Sequence, residues 1–198
     1  MSLTYATPLL LTDPGFVFTA ILGTAEPAHA ALASTYDLDV WAAAWVPAGV
    51  TEGGSKLAYE IKAEPIKAAE LFDPVAWRTT ERSGSIVFSV MNYTLNNLKR
   101  AYNGGTLATH SGAGVTLSSS LLPPAPGSEI RSMIGWESLD HTMRVVIYQA
   151  LNMGSIESTF NKAPDKALIP FMFNMEVPIG APQQPFKVYA AGTARLGV

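Results

Sequence analysis

The chain has 198 residues, 48% apolar and only 15% charged, with a net charge of −3 and no cysteine. That length suits one domain with a substantial core. The missing thiols exclude disulfides and thiolate metal sites, and no Lys/Arg cluster beyond Lys99-Arg100 exists to release counterions from nucleic acid. A low charged fraction beside ordinary apolar content fits either a surface partly covered by other subunits or a weakly charged monomer. The start, Met1-Ser2-Leu3-Thr4, lacks the basic residues of a signal peptide, and no apolar run is long enough to span a bilayer. The expectation is a soluble chain made in a cytoplasm.

In chain order, residues 1–14 read as an N-terminal arm ending at the turn signal Asp13-Pro14-Gly15. Phe16 to Leu22 is a β-branched and aromatic run, hence a strand. Residues 28–45 are ambiguous: Leu38, Trp41 and Trp45 fall at helical spacing, the segment could instead lead into a strand ending at Val46, and a loop with at most one helical turn is expected. A turn-rich stretch follows, Trp45-Val46-Pro47-Ala48-Gly49-Val50-Thr51-Glu52-Gly53-Gly54. From Leu57 to Glu64 the pattern alternates, with Leu57, Tyr59 and Ile61 on one side and Glu60, Lys62 and Glu64 on the other. That is the signature of a half-buried antiparallel strand. Pro65 is expected to break the pairing. Val75 to Thr80 reads as strand, Glu81 to Gly84 as a polar turn, and Ser85 to Met91 as a strand with Ile86, Phe88 and Val90 inward.

One helix is well marked, about residues 94–102. Thr94 supplies an N-cap hydroxyl, Leu95, Leu98 and Tyr102 share a face, Lys99 and Arg100 sit in the last turn, and Gly104 is expected in the left-handed position after it. Strands are predicted at Val115 to Leu121, Ser132 to Trp136, Met143 to Leu151, Ser155 to Phe160, Ala167 to Val177 and Phe186 to Ala190. Residues 178–198 make a C-terminal loop and last strand. The sum is a mainly β chain, a two-sheet sandwich or barrel with one flanking helix.

Residues that carry chemistry are scattered. His29, His110 and His141 each stand apart from other ligand types, which argues against a metal site. No Gly-x-Ser-x-Gly elbow occurs, and Ser111-Gly112-Ala113-Gly114 lacks the lysine and strand–helix context of a phosphate loop. Glu60 and Glu64 read as an exposed charged face rather than a glycosidase pair, and Trp41 and Trp45 as core or interface aromatics rather than a stacking platform. The expectation is no enzyme and no cofactor.

The order of motifs resembles the major tail protein family of long-tailed bacteriophages, and is most similar to those of phages infecting actinobacteria (mycobacterial type). The resemblance rests on Leu22 to Pro27, Trp45 to Gly54, Glu64 to Glu70, Asp73-Pro74-Val75, Thr79 to Phe88 and Asn97 to Gly105, and so covers roughly residues 16–105. Gly54 is followed by Ser55-Lys56 where the family more often has an apolar residue. The resemblance implies a tail-tube fold, with six copies closing into a ring and rings stacking into a hollow tube. It implies a tape-measure protein inside, tail terminator and baseplate or tail-tip proteins at the ends, and DNA passing through the lumen unbound. Residence in the virion tail, after assembly in the bacterial cytoplasm, follows. By analogy, Pro47, Gly49, Thr51, Glu52, Gly53, Gly54 and Lys56 form an inter-ring stacking loop. Glu60, Glu64, Ser85 and Ser89 are the expected lumen-facing residues, because acidic and small polar groups let DNA slide. The alternatives are another β-rich virion part, a tail terminator or capsid decoration protein, or a ligand-binding sandwich using Trp41 and Trp45.

Overall fold

The computed structural model describes residues 14–27, 41–112, 115–139, 141, 143–157, 166–178, 180 and 184–190. The fold is mainly β, antiparallel and sandwich-like, with one short helix. Its strands are β1 (Gly15–Ile21), β2 (Val46–Pro47), β3 (Thr51–Ile66), β4 (Ala76–Val90), β5 (Thr106–Gly112), β6 (Val115–Leu122), β7 (Ser132–Ser138), β8 (Met143–Asn152), β9 (Ile169–Met175) and β10 (Phe186–Ala190); the helix α1 is Leu95–Ala101. The main sheet runs β2-β1-β7-β8-β9-β4-β3, with β10 also on β8, and β5-β6 form a separate hairpin.

The sheet folds over at β8. The first half of that strand, Met143 to Ile147, pairs with β10, whereas its last residues, Ala150 to Asn152, pair with β9. Two layers result, and they pack through alternating apolar residues. Val17, Ile134, Val145 and Ile147 of one layer meet Ile86, Phe88, Val90, Ile169, Phe171 and Phe173 of the other. The phenyl rings of Phe88, Phe171 and Phe173 stack, with centroids 5.0 Å apart for Phe88–Phe171 and 5.6 Å for Phe171–Phe173. The opposite face of β1-β7-β8 is also covered. Phe18, Met133, Val146 and Tyr148 there pack beneath Trp41 and Trp45. Coverage on both sides explains why β8 reads as a nearly continuous apolar run rather than an alternation.

Trp41 and Trp45 are therefore core, 5% and 3% exposed. Trp41 lies on Gly135, where a Cβ would collide with its ring. Its indole donates to Glu137, and the Arg144 guanidinium sits 5.1 Å from its centroid. Neither indole face is open to a ligand, so the stacking-platform reading loses its basis.

Helix α1 forms as the sequence predicts at its start: the Thr94 hydroxyl accepts from Asn97 N–H at 3.2 Å. Its end differs by one residue. Asn103, not Gly104, takes the left-handed conformation (φ 58°). The N–H groups of Asn103 and Gly104 then bond back to Arg100 and Lys99 carbonyls, the arrangement of a Schellman cap. Asparagine holds this position because its side chain is also used. Its amide donates to Asn152 C=O at 2.7 Å, and its oxygen accepts from Asn152 N–H at 2.8 Å, fastening the helix to β8.

Several expected breaks are absent. Glu81 to Gly84 is not a turn but the middle of β4, and Pro65 stays in register opposite Trp77. A proline is tolerated there because β3 lies at the sheet edge, where its missing N–H faces outward. The strand expected from Ser155 has no strand structure at 155–157, and its remainder lies outside the described residues. The N-terminal arm to residue 13 and most of the ambiguous 28–45 segment also lie outside them. The hairpin strand β5 was not anticipated, because its small polar residues carry no apolar alternation.

Candidate self-assembly surface

The longest elements of the chain are β3 and β4, of 16 and 15 residues. Only their inner portion belongs to the sandwich. Strand β9 accompanies β4 from Val90 to Ser85 and then stops. Beyond Ala58 and Ser85 the two strands continue alone as a ribbon, reaching about 25 Å further at ~3.3 Å per residue.

Local chemistry holds the ribbon in one register. The step between Glu52 and Ser55 is a bulge that Gly53 and Gly54 accommodate with φ of 74° and 77°. A second irregularity follows Lys62. Lys62 donates to Glu81 across the strands at 2.8 Å, and Thr80 donates to Lys62 C=O at 3.3 Å. The hydrogen bond to Glu81 raises the Lys62 pKa above its ordinary value. Such an exposed pair fixes register more than it stabilises.

The ribbon has two unlike faces. Opposed residues of an antiparallel pair share a face, so Glu60, Lys62, Ser83 and Ser85 stand on one side. Leu57, Tyr59, Ile61, Pro65 and Trp77 stand on the other, the side that carries Ile86 inward. This second face is the continuation of the core-facing side of its layer. Cover over it thins outward: Leu57 and Tyr59 are already 40% and 37% exposed, although the Tyr59 ring meets Phe186 edge-on at 5.1 Å. Past that point the opposite layer ends, and Ile61 and Trp77 are 56% and 67% exposed. The turn adds exposed Leu71, Phe72 and Val75. The half-buried strand expected from the alternation therefore has the expected faces but no cover over its outer half. Apolar patches of this kind mark interaction sites, and an isolated two-stranded ribbon is marginal in water.

The residues expected in a stacking loop are divided by the structure. Pro47 belongs to β2, and Gly49 lies in the short connection after it, its φ of 114° pressed against Asn92. Thr51, Glu52, Gly53, Gly54 and Lys56 are strand residues of β3, with Thr51 opposite Val90 and Lys56 opposite Val87. The glycines that suggested a turn instead absorb a bulge within a strand. Deleting 51–54 would thus cut the sheet and not merely shorten a loop. Of the residues expected to face a lumen, Glu60, Ser85 and Ser89 share the outer face of the β9-β4-β3 layer and its ribbon, with Val87, Met172 and Asn174 beside them. Glu64 lies further out, opposite Arg78.

Two polar clusters were not anticipated. Glu137, fully buried, meets His141 Nδ1 at 2.7 Å and accepts from Arg144 Nη2 at 2.9 Å. His141 is thus a core residue and not an isolated loop histidine; its spacing of four from Glu137 was the available signal. Glu26 accepts from Tyr148 at 2.8 Å, from Tyr189, and from Lys187 at 3.3 Å. Burial, then the bond to Glu26, raises the Tyr148 pKa well above the usual phenol range. Both clusters brace separate elements against one another, although Nε and Nη1 of the buried Arg144 have no hydrogen-bond partner. His110 is exposed beside Ser120, and His29 lies outside the described residues. Among the described residues no group of His, Asp and Glu converges as a metal site, and no helix is long and apolar enough to cross a membrane.

No protein-family model matches this chain, and no curated protein matches it.

Proposed function

We propose that the chain is a structural subunit that assembles with copies of itself into a hollow tube of the phage tail-tube type. The observation that carries this reading is the apolar inner face that outruns its own core at Ile61, Pro65 and Trp77. A neighbouring copy is the cover that makes such a face stable. Two further features support it. The path of the main sheet ends at β3, whose outer side has no strand partner among the described residues, and an open edge invites strand addition unless a neighbour uses it. The ordered motifs over residues 16–105 also resemble tail-tube subunits. In that reading six copies close a ring, rings stack around a tape-measure protein, and the polar face with Glu60, Ser85 and Ser89 lines a lumen that passes DNA without binding it. The assembled tube resides in the virion tail.

The test is electron microscopy and sedimentation of the purified chain at rising concentration, alone and seeded with preformed tail tips. We expect hollow tubes with a regular axial repeat. An Ile61→Ser/Trp77→Ser variant should keep its melting temperature and lose the tubes, since both side chains are exposed in the single chain. Wild-type chain that stays monomeric when seeded, or tubes at full yield from the variant, would refute the proposal.

A further inference from the structure

A groove of about 360 Å³ runs beside α1 and the end of β1. Ile21, Val46, Asn96, Lys99, Arg100 and Ile130 line it. Of its apolar members, Ile21, Val46 and Ile130 are exposed, Ile21 most of all. Its cations are the chain's only adjacent basic pair. Among the described residues neither has a carboxylate partner; Arg100 donates only to Asn97 Oδ1 at 2.8 Å and Pro47 C=O at 3.4 Å. Burial lowers the Arg100 pKa from its ordinary value, as happens when a cation is desolvated without an anion. The groove is thus apolar at its rim and electrically uncompensated.

The turn of the ribbon has the complementary chemistry. Glu70-Leu71-Phe72-Asp73 places two apolar side chains between two carboxylates. Phe72 is fully exposed, and neither Glu70 nor Asp73 has an ion pair among the described residues. Lys67 is the one cation in the turn, so the tip is net negative. Hydrogen bonds from Leu71 N–H to Ala68 C=O and from Val75 N–H to Ile66 C=O shape it. Among the described residues no hydrogen bond ties residues 67–75 to anything outside the ribbon.

We infer that the tip of one copy docks in the α1 groove of a second copy, with Glu70 and Asp73 facing Lys99 and Arg100 and with Leu71 and Phe72 against Ile21, Val46 and Ile130. This inference rests on the self-assembly reading and specifies its contact. Opposite charges around an apolar centre fix register and reject other pairings. Tip and groove are different patches, so the contact is heterologous and propagates from copy to copy, as a stacked array requires.

Charge reversal and cross-linking test it together. Lys99→Glu and the pair Glu70→Lys/Asp73→Lys should each reduce the assembled fraction at least about tenfold, a loss of ~1.4 kcal/mol per contact, with unchanged melting temperature. Because the chain has no cysteine, an Asp73→Cys/Lys99→Cys double variant reports adjacency directly. Oxidised assemblies of it should give a ladder of disulfide-linked multimers, whereas either single variant stops at a dimer. Wild-type tubes with charge variants that assemble normally, or with no ladder above the dimer, overturn the docking and leave the self-assembly proposal standing. A wild-type chain that never assembles removes both.

Discussion

The Glu137 cluster permits a quantitative expectation. Glu137 has no exposed surface, and its carboxylate balances Arg144, which is 1% exposed. Two nitrogens of that guanidinium, Nε and Nη1, already lack partners, so Glu137 is the counter-charge on which it depends. Glu137→Gln preserves volume and leaves the cation buried without an anion. Removing one member of a buried pair costs about 3–5 kcal/mol. With a urea m value of about 2 kcal/mol/M, the unfolding midpoint should fall by about 1.5–2.5 M. Adding Arg144→Met removes the stranded charge, and at least half of the loss should return. Urea titration followed by tryptophan fluorescence reads both, since Trp41 lies on the cluster. A midpoint within about 0.5 M of wild type for the single variant, or no recovery in the double, would refute the argument.

Gly135→Ala tests the packing of the covered outer face. The new methyl would strike the Trp41 ring, while Trp45 lies 3.2 Å from it. Overpacking of this kind costs about 1–3 kcal/mol, seen as a melting temperature lower by several degrees in calorimetry; an unchanged value would show that the indoles can retreat freely. Glu176 gives a pH dependence. The hydrogen bond from Gln149 at 2.7 Å, followed by Arg131 at 3.1 Å, holds its carboxyl below the usual range. A depressed folded value stabilises the protein above the unfolded pKa of about 4.3, and the contribution disappears as pH falls through the folded value. Glu176→Gln should therefore be less stable than wild type at neutral pH and equal to it near pH ~2 in urea titrations; a difference that persists in acid would assign the effect to packing.

Much of the local structure was legible. Alternation gave the two faces of β3 and the inward residues Ile86, Phe88 and Val90 of β4, and a continuous apolar run marked β8. Thr94 marked where α1 begins, because N-capping depends on a few neighbouring atoms. Polar runs were misleading. Glu81 to Gly84 reads as a turn by composition, yet it runs in register with Tyr59 to Lys62 of β3. Gly53-Gly54 reads as a turn and is a bulge, because positive φ serves either purpose and only pairing chooses. His141 looked isolated because the strand order that sets Arg144 beside Glu137 is a property of β7 pairing with β8.

By itself, then, the sequence determined the class of protein: mainly β, one capped helix, no thiol chemistry and little surface charge. Those traits follow from composition and from short-range periodicity, which the chain carries wherever it folds. The tertiary structure decided which apolar faces are left without a partner. Ile61 and Trp77 resemble core residues in sequence, and so do Trp41 and Trp45. The latter pair is buried because it packs against Phe18, Met133, Val146 and Tyr148, and the former is exposed because no opposite layer reaches over that part of the ribbon. Burial is a relation between distant segments, and no periodicity within one strand encodes where its neighbour stops.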